Sequence, residues 1–153
     1  MNKPKPAGLS SDPQLFKLMT EIDMIAHLGM NTFERVLPEG LTKAQFGVLN
    51  HLLRLDSRET IGELAAAFQV AQPTMSSTVK KLEAKAYVEF IPDTEDRRIK
   101  RIAVTPAGRA IREQAVMAVR PHLDKLQAAI PDADWGSVLP LLTRLRAFLE
   151  AKG

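Results

Sequence analysis

Residues 60–85 constrain the fold more than any other stretch of this chain. Thr60 and Glu63 stand at capping-box spacing: the hydroxyl accepts from the third helical amide, and the carboxylate reaches back to the cap's own amide. Ile61, Leu64, Ala65 and Phe68 then give one apolar face, long enough only for a short helix. Residues 69–72 read as a brief turn, and Pro73 suits the start of the next helix, where its missing N–H is not needed. From 73 to about 85, Met75, Val79 and Leu82 fall on one side. The other side carries Thr74, Ser77, Lys80 and Lys81, with Gln72 at the entrance, so it is small and hydroxylated first and cationic further along. Two short helices joined by a tight turn, the second presenting such a face, form a helix-turn-helix.

The flanks agree with that reading. Residues 87–91 and 99–104 are short runs of β-formers separated by a polar loop from Pro92 to Arg98. They predict a hairpin wing over about 87–104. Of the five residues 97–101, four are basic: Arg97, Arg98, Lys100 and Arg101. Such a run is by default a solvated surface; its place at a hairpin tip is what points to DNA. Upstream, Thr42 and Gln45 form another capping box, with Leu41 and Phe46 placed as a hydrophobic staple. They open a helix to about 55 with Phe46, Leu49, Leu52 and Leu53 inward. Downstream, Thr105 caps and Pro106 starts a helix running to 129, with Ile111, Ala115, Ala118, Val119, His122 and Leu126 inward. A last helix reaches 151, carrying Leu141, Leu142, Leu145, Phe148 and Leu149. Pro140 requires that helix either to start near Ser137 or to kink.

Residues 14–37 form a long helical pattern with more apolar residues than one face needs. Leu15, Leu18, Met19, Ile22 and Ile25 recur at helical spacing, while Phe16, Met24, Leu28 and Met30 lie elsewhere around the helix. One face for its own domain and one for a partner explain the excess. The expected organisation is therefore a flexible arm over 1–13, a helical dimerisation region from 14–37 and 106–151, and a winged helix-turn-helix domain over 41–105. The fold class is mainly α (α+β).

Composition removes several alternatives. With no cysteine there are no disulfides, thiol sensors or thiolate metal sites. His27, His51 and His122 are scattered without ligand spacing, so neither metal nor cofactor is expected. There is no Gly-rich phosphate loop, no His-Glu-x-x-His and no evident acid pair, and an enzyme is not expected. No apolar run approaches the roughly 18 residues of a membrane span. The first 13 residues lack the apolar centre of a signal peptide, and the expected location is cytoplasmic. Aromatics make up 5% of the chain, which disfavours binding by base stacking. The net charge of +3 is too small to argue nucleic-acid binding alone.

The segments LTKAQFGVL (41–49), TIGELAAAFQVAQPTMSSTVKKLEAKAYVEF (60–90) and DTEDRRIKRIAVTPAG (93–108) together resemble the MarR (multiple antibiotic resistance regulator) family of bacterial transcription factors. The ordered combination, ending in Asp-x-Arg and Thr-Pro-x-Gly, is specific. The helix order outside these segments extends the likeness over nearly the whole chain. Ala86 stands where the family usually has glycine, which leaves open how the helix–wing junction closes.

The resemblance implies a homodimer on a pseudo-palindromic duplex operator, most often a repressor released by a small aromatic or lipophilic ligand such as an aromatic acid. It makes Arg98 a minor-groove probe oriented by Asp96. Lys80, Lys81, Arg97, Lys100 and Arg101 are the expected phosphate contacts. Gln72, Pro73, Thr74, Ser76 and Ser77 are the expected base-reading face. Met24, His27, Met30, His51 and Arg54 are the candidate ligand-pocket residues. An activator, an architectural DNA binder without effector, and a winged helix used for protein contacts remain the alternatives.

Overall fold

The computed structural model describes residues 12–38 and 40–152; the expected flexible arm lies, but for its last two positions, outside the described residues. The described elements are α1 (Gln14–Val36), α2 (Lys43–Leu55), α3 (Ile61–Ala67), α4 (Gln72–Ala84), β1 (Val88–Pro92), β2 (Lys100–Val104), α5 (Pro106–Ala129) and α6 (Trp135–Glu150). The chain divides into two compact units, Met1–Val36 and Leu37–Gly153. In the first, α1 is a continuous helix whose Leu15, Phe16, Ile25 and Leu28 are exposed. Apolar residues thus emerge on several sides of it, as the sequence pattern requires.

The second unit holds the winged helix-turn-helix. Both capping boxes form: Thr42 accepts from the Gln45 amide at 3.2 Å, and Thr60 accepts from the Glu63 amide at 3.1 Å. The core collects Val48, Leu49 and Leu52 of α2, Leu64 of α3, Met75, Val79 and Leu82 of α4, Val88 and Ile102 of the wing, and Ile111 and Ala115 of α5. With Phe46 and Ala65 these include the buried part of each predicted inward set; Val48 was not among the predicted positions, and Leu53, Ile61, Phe68, Ala118, Val119 and His122 are only half-buried.

Three helices of this unit close in the same way. After α2, α3 and α4, Asp56 (φ 48°), Gln69 (φ 52°) and Ala86 (φ 60°) adopt the left-handed conformation. In each case two amide-to-carbonyl bonds fold back onto the helix, as in Ala86 N–H to Glu83 O at 2.8 Å and Tyr87 N–H to Leu82 O at 3.0 Å. That is the Schellman closure glycine usually provides. Alanine therefore does not change how α4 ends; it takes the strained conformation itself.

The wing is an antiparallel pair in which Val88 faces Val104, Phe90 faces Ile102 and Pro92 faces Lys100. Its strands lie one residue later than predicted at their starts, because the Tyr87 and Ile99 amides are used elsewhere, on Leu82 O and Asp96 O. On the other side of β2, Ile102 donates to Glu59 O at 2.8 Å. β2 is thus bonded on both edges, a pairing the sequence did not indicate. The Thr-Pro-x-Gly motif has a packing reason. Thr105 Oγ1 accepts from the Gly108 amide at 3.1 Å and donates to Ala86 O at 2.5 Å. A Cβ on Gly108 would collide with the Tyr87 carbonyl and stand 2.9 Å from Val104 Cγ1.

The C-terminal helices depart from expectation in two places. Leu126, expected inward, is exposed, as are Leu141, Phe148 and Leu149. The core ends near Ala115, and α6 contributes no buried residue. α6 also begins at Trp135 rather than near Ser137, because Asp134 caps it by accepting from the Ser137 amide at 3.2 Å. Pro140 consequently lies inside the helix, where it removes the donor that would reach Gly136 O.

Candidate nucleic-acid interface

The outward face of α4 follows from its inward one. With Met75, Val79 and Leu82 fully committed to the core, Thr74, Ser77, Lys80 and Lys81 are left exposed and Ser76 half-buried. The helix starts at Gln72, one residue earlier than predicted, so Pro73 is its second residue, still among the amides that need no intrahelical partner. Gln72 is exposed, and its side-chain amide lies over Gly62 of α3, where a Cβ would stand 3.2 Å from Gln72 Nε2. Pro73, Ser76, Ser77, Lys80 and Lys81 line one shallow, open depression.

The wing tip is organised by two aspartates. Asp96 accepts from Arg98 at three points: the backbone amide at 3.1 Å, Nε at 3.0 Å and a terminal guanidinium nitrogen at 2.9 Å. The side chain of Arg98 is nonetheless 91% exposed. It is a cation whose rotamer is held by its neighbour while its outer edge faces solvent. The Arg98 guanidinium and amide hold the Asp96 carboxyl below its ordinary value, and Asp96 in turn raises Arg98. Arg97 and Lys100 are exposed beside it.

Arg101 does not join this cluster. Its Nε donates to Asp93 Oδ1 at 2.5 Å. One terminal nitrogen donates to Glu63 Oε2 and to Arg58 O, both at 3.1 Å. Asp93 also accepts from the Glu95 and Asp96 amides. Arg101 and those two amides bring the Asp93 carboxyl down from 3.8 to about 2. Asp93 and Glu63 in this role were not evident from the sequence. The only local signal was Pro92-Asp93, a turn-opening pair whose aspartate accepts amides ahead of it.

Of the candidate ligand residues, Met24, His27 and Met30 belong to α1 in the first unit, and His51 and Arg54 to α2 in the second. His51 Nε2 pairs with Glu59 at 3.0 Å and its ring meets Phe68 edge-on at 5.3 Å. Arg54 stands 3.9 Å from Glu150. Among the described residues no group of His, Cys, Asp or Glu is placed to hold a metal, and no helix is long and apolar enough to cross a membrane.

The MarR family profile matches residues 39–99, from the approach to α2 through the wing tip. BadR, a transcriptional activatory protein of Rhodopseudomonas palustris, is 29% identical over 100 residues, which cover 64% of this chain and 55% of BadR. The chain thus spans about half the length of that relative. The transcriptional regulator BldR from Sulfolobus solfataricus superposes with a TM-score of 0.65 at 26% identity, covering 90% of this chain and 96% of BldR. A MarR mutant from E. coli superposes at 0.64 with 27% identity, covering 86% and 96%. Profile, sequence and fold agree in likeness: residues 39–99 match the MarR family, and the chain is similar over most of its length to solved transcriptional regulators.

Proposed function

We propose that the chain binds a pseudo-palindromic duplex operator as a homodimer and represses transcription until a small aromatic or lipophilic molecule weakens that binding. The observation that carries the reading is the Asp96–Arg98 clasp: a guanidinium 91% exposed yet fixed at three points. A solvated surface arginine gains little from such restraint. An arginine that must enter a minor groove gains a lower ordering cost. Lys80, Lys81, Arg97 and Lys100 then neutralise phosphates, while Gln72, Pro73, Thr74, Ser76 and Ser77 meet base edges in the major groove. Hydroxyls read bases loosely, so direct readout is moderate and DNA shape supplies the rest.

The exposed apolar residues of α5 and α6, Leu126, Leu139 and Phe148 among them, support a subunit seam. Two-fold symmetry places half-sites one helical turn apart, about 34 Å. The candidate ligand contacts are Met24, His27 and Met30 on α1 and, taken separately, His51 and Arg54 on α2. A ligand acts by favouring a spacing of the two reading heads that does not match successive grooves.

Titration of the duplex preceding the chain's own coding sequence, with and without salicylate, tests this. Tight, salt-sensitive, sequence-selective binding weakened by salicylate is expected; binding without sequence preference would leave only an architectural role. The likeness to BadR, an activatory protein, favours a second reading, an activator using the same DNA-binding face. A promoter–reporter assay separates the two by the sign of the change on deletion.

A further inference from the structure

We infer that Arg101, with Asp93 and Glu63, is a positioning residue that sets the wing's stance against the helix-turn-helix, so that its cation serves geometry rather than a phosphate. This rests on the DNA-binding reading above. Three independent parts of the second unit meet at one guanidinium. Asp93 belongs to the wing loop, Glu63 to the first turn of α3, and the Arg58 carbonyl to the segment leading into α3. The Arg101 side chain is 29% exposed and Asp93 13%, against 91% for Arg98, so Arg101 is the basic residue of the wing turned inward. Each partner is itself fixed. Asp93 Oδ2 holds the amides of Glu95 and Asp96 that shape the tip. Glu63 Oε2 also accepts from the Thr60 amide at 2.9 Å, as part of the α3 capping box.

A single planar fork therefore connects the loop carrying Asp96 and Arg98 to the helix that leads into the turn before α4. The planar guanidinium bonds these partners in fixed directions, which a lysine ammonium, a compact point charge, cannot reproduce. Reading two grooves at once needs the minor-groove arginine and the recognition helix at one fixed separation. Arg101 is placed to supply that constraint.

The sign of one substitution separates this from a phosphate contact. Asp93→Asn keeps every cation and removes one negative charge, so a phosphate-contacting Arg101 would bind DNA equally or more tightly in that variant. The positioning role gives the opposite. On a duplex selected by the unmodified protein from a random-sequence pool, Asp93→Asn and Arg101→Lys should each lose roughly tenfold or more in affinity, the order of one mismatched base pair. Binding to unselected duplex should stay within about twofold, with the salt slope unchanged.

In the free proteins, amide exchange should quicken at Asp93 and Ile99 while the core amides of α2 keep their protection, which shows that the fold is intact. Unchanged or tighter operator binding by Asp93→Asn would overturn the inference. So would a salt slope in Arg101→Gln shallower by about 0.9 for each phosphate no longer neutralised. If the unmodified protein selects no sequence, the DNA-reading proposal itself fails. If it selects one and these variants match it, only this inference does.

Discussion

Ala86 shows how much one side chain can leave legible and how much it hides. That residue 86 sits at a helix end was readable, because the apolar spacing of α4 stops at Leu82 and β-formers begin at Tyr87. That it takes φ 60° rather than ending the helix another way was not readable. The Schellman bonds and the Thr105 hydroxyl on Ala86 O fix its conformation, and both depend on packing. The left-handed conformation costs a non-glycine residue roughly 1–2 kcal/mol, offset in part because glycine raises unfolded-chain entropy by roughly 0.4–1 kcal/mol. Ala86→Gly should therefore stabilise the chain by about 0.5–1 kcal/mol in denaturant unfolding, with an unchanged m-value.

Asp93 gives a second residue-scale expectation. Its value near 2 lies below the ordinary 3.8, so its contribution is complete above about pH 4 and is lost as pH falls toward 2. Amide exchange in the wing loop, measured from pH 5 down to pH 2 and corrected for intrinsic rates, should quicken across that window. Asp93→Asn should already exchange fast at pH 5.

At the scale of elements, local chemistry was readable and distant pairing was not. The two capping boxes, the Thr105 cap and the inward faces of α2, α3 and α4 all follow from spacing within one turn or two. Glu59's pairing with Ile102, by contrast, joins residues far apart in the chain, and Arg101 reaches Glu63 across 38 positions. No pattern within a window reports such pairings. The wing's basic run looked uniform in sequence; the structure sorts it into one inward arginine and an exposed set. For that exposed set, Arg98→Ala should lower operator affinity at least about tenfold, because each protomer then lacks one specific groove interaction. Unchanged sedimentation would show the dimer intact, and equal operator affinity would mean that the wing does not read DNA.

For the whole molecule, the second unit concentrates its core between α2 and the start of α5 and leaves the C-terminal helices apolar on the outside. Leu139 is 65% exposed, and in the proposed homodimer such residues would supply the seam. The apolar positions of these helices were legible in the sequence but their burial was not, since covering by a second copy leaves the same spacing as covering by the chain's own core. Leu139→Glu should shift the protein toward monomer in sedimentation at micromolar concentration, retain its helical circular dichroism, and weaken operator binding because the second half-site goes unread. A variant that stays dimeric would move the seam away from α6.

The most direct test of DNA reading by a symmetric pair of such units is selection of bound duplexes from a random-sequence pool, followed by sequencing. One enriched pseudo-palindrome is expected, with half-sites about 10–10.5 base pairs apart, centre to centre. Enrichment of a single unrepeated half-site, or of no sequence at all, would contradict a symmetric reader.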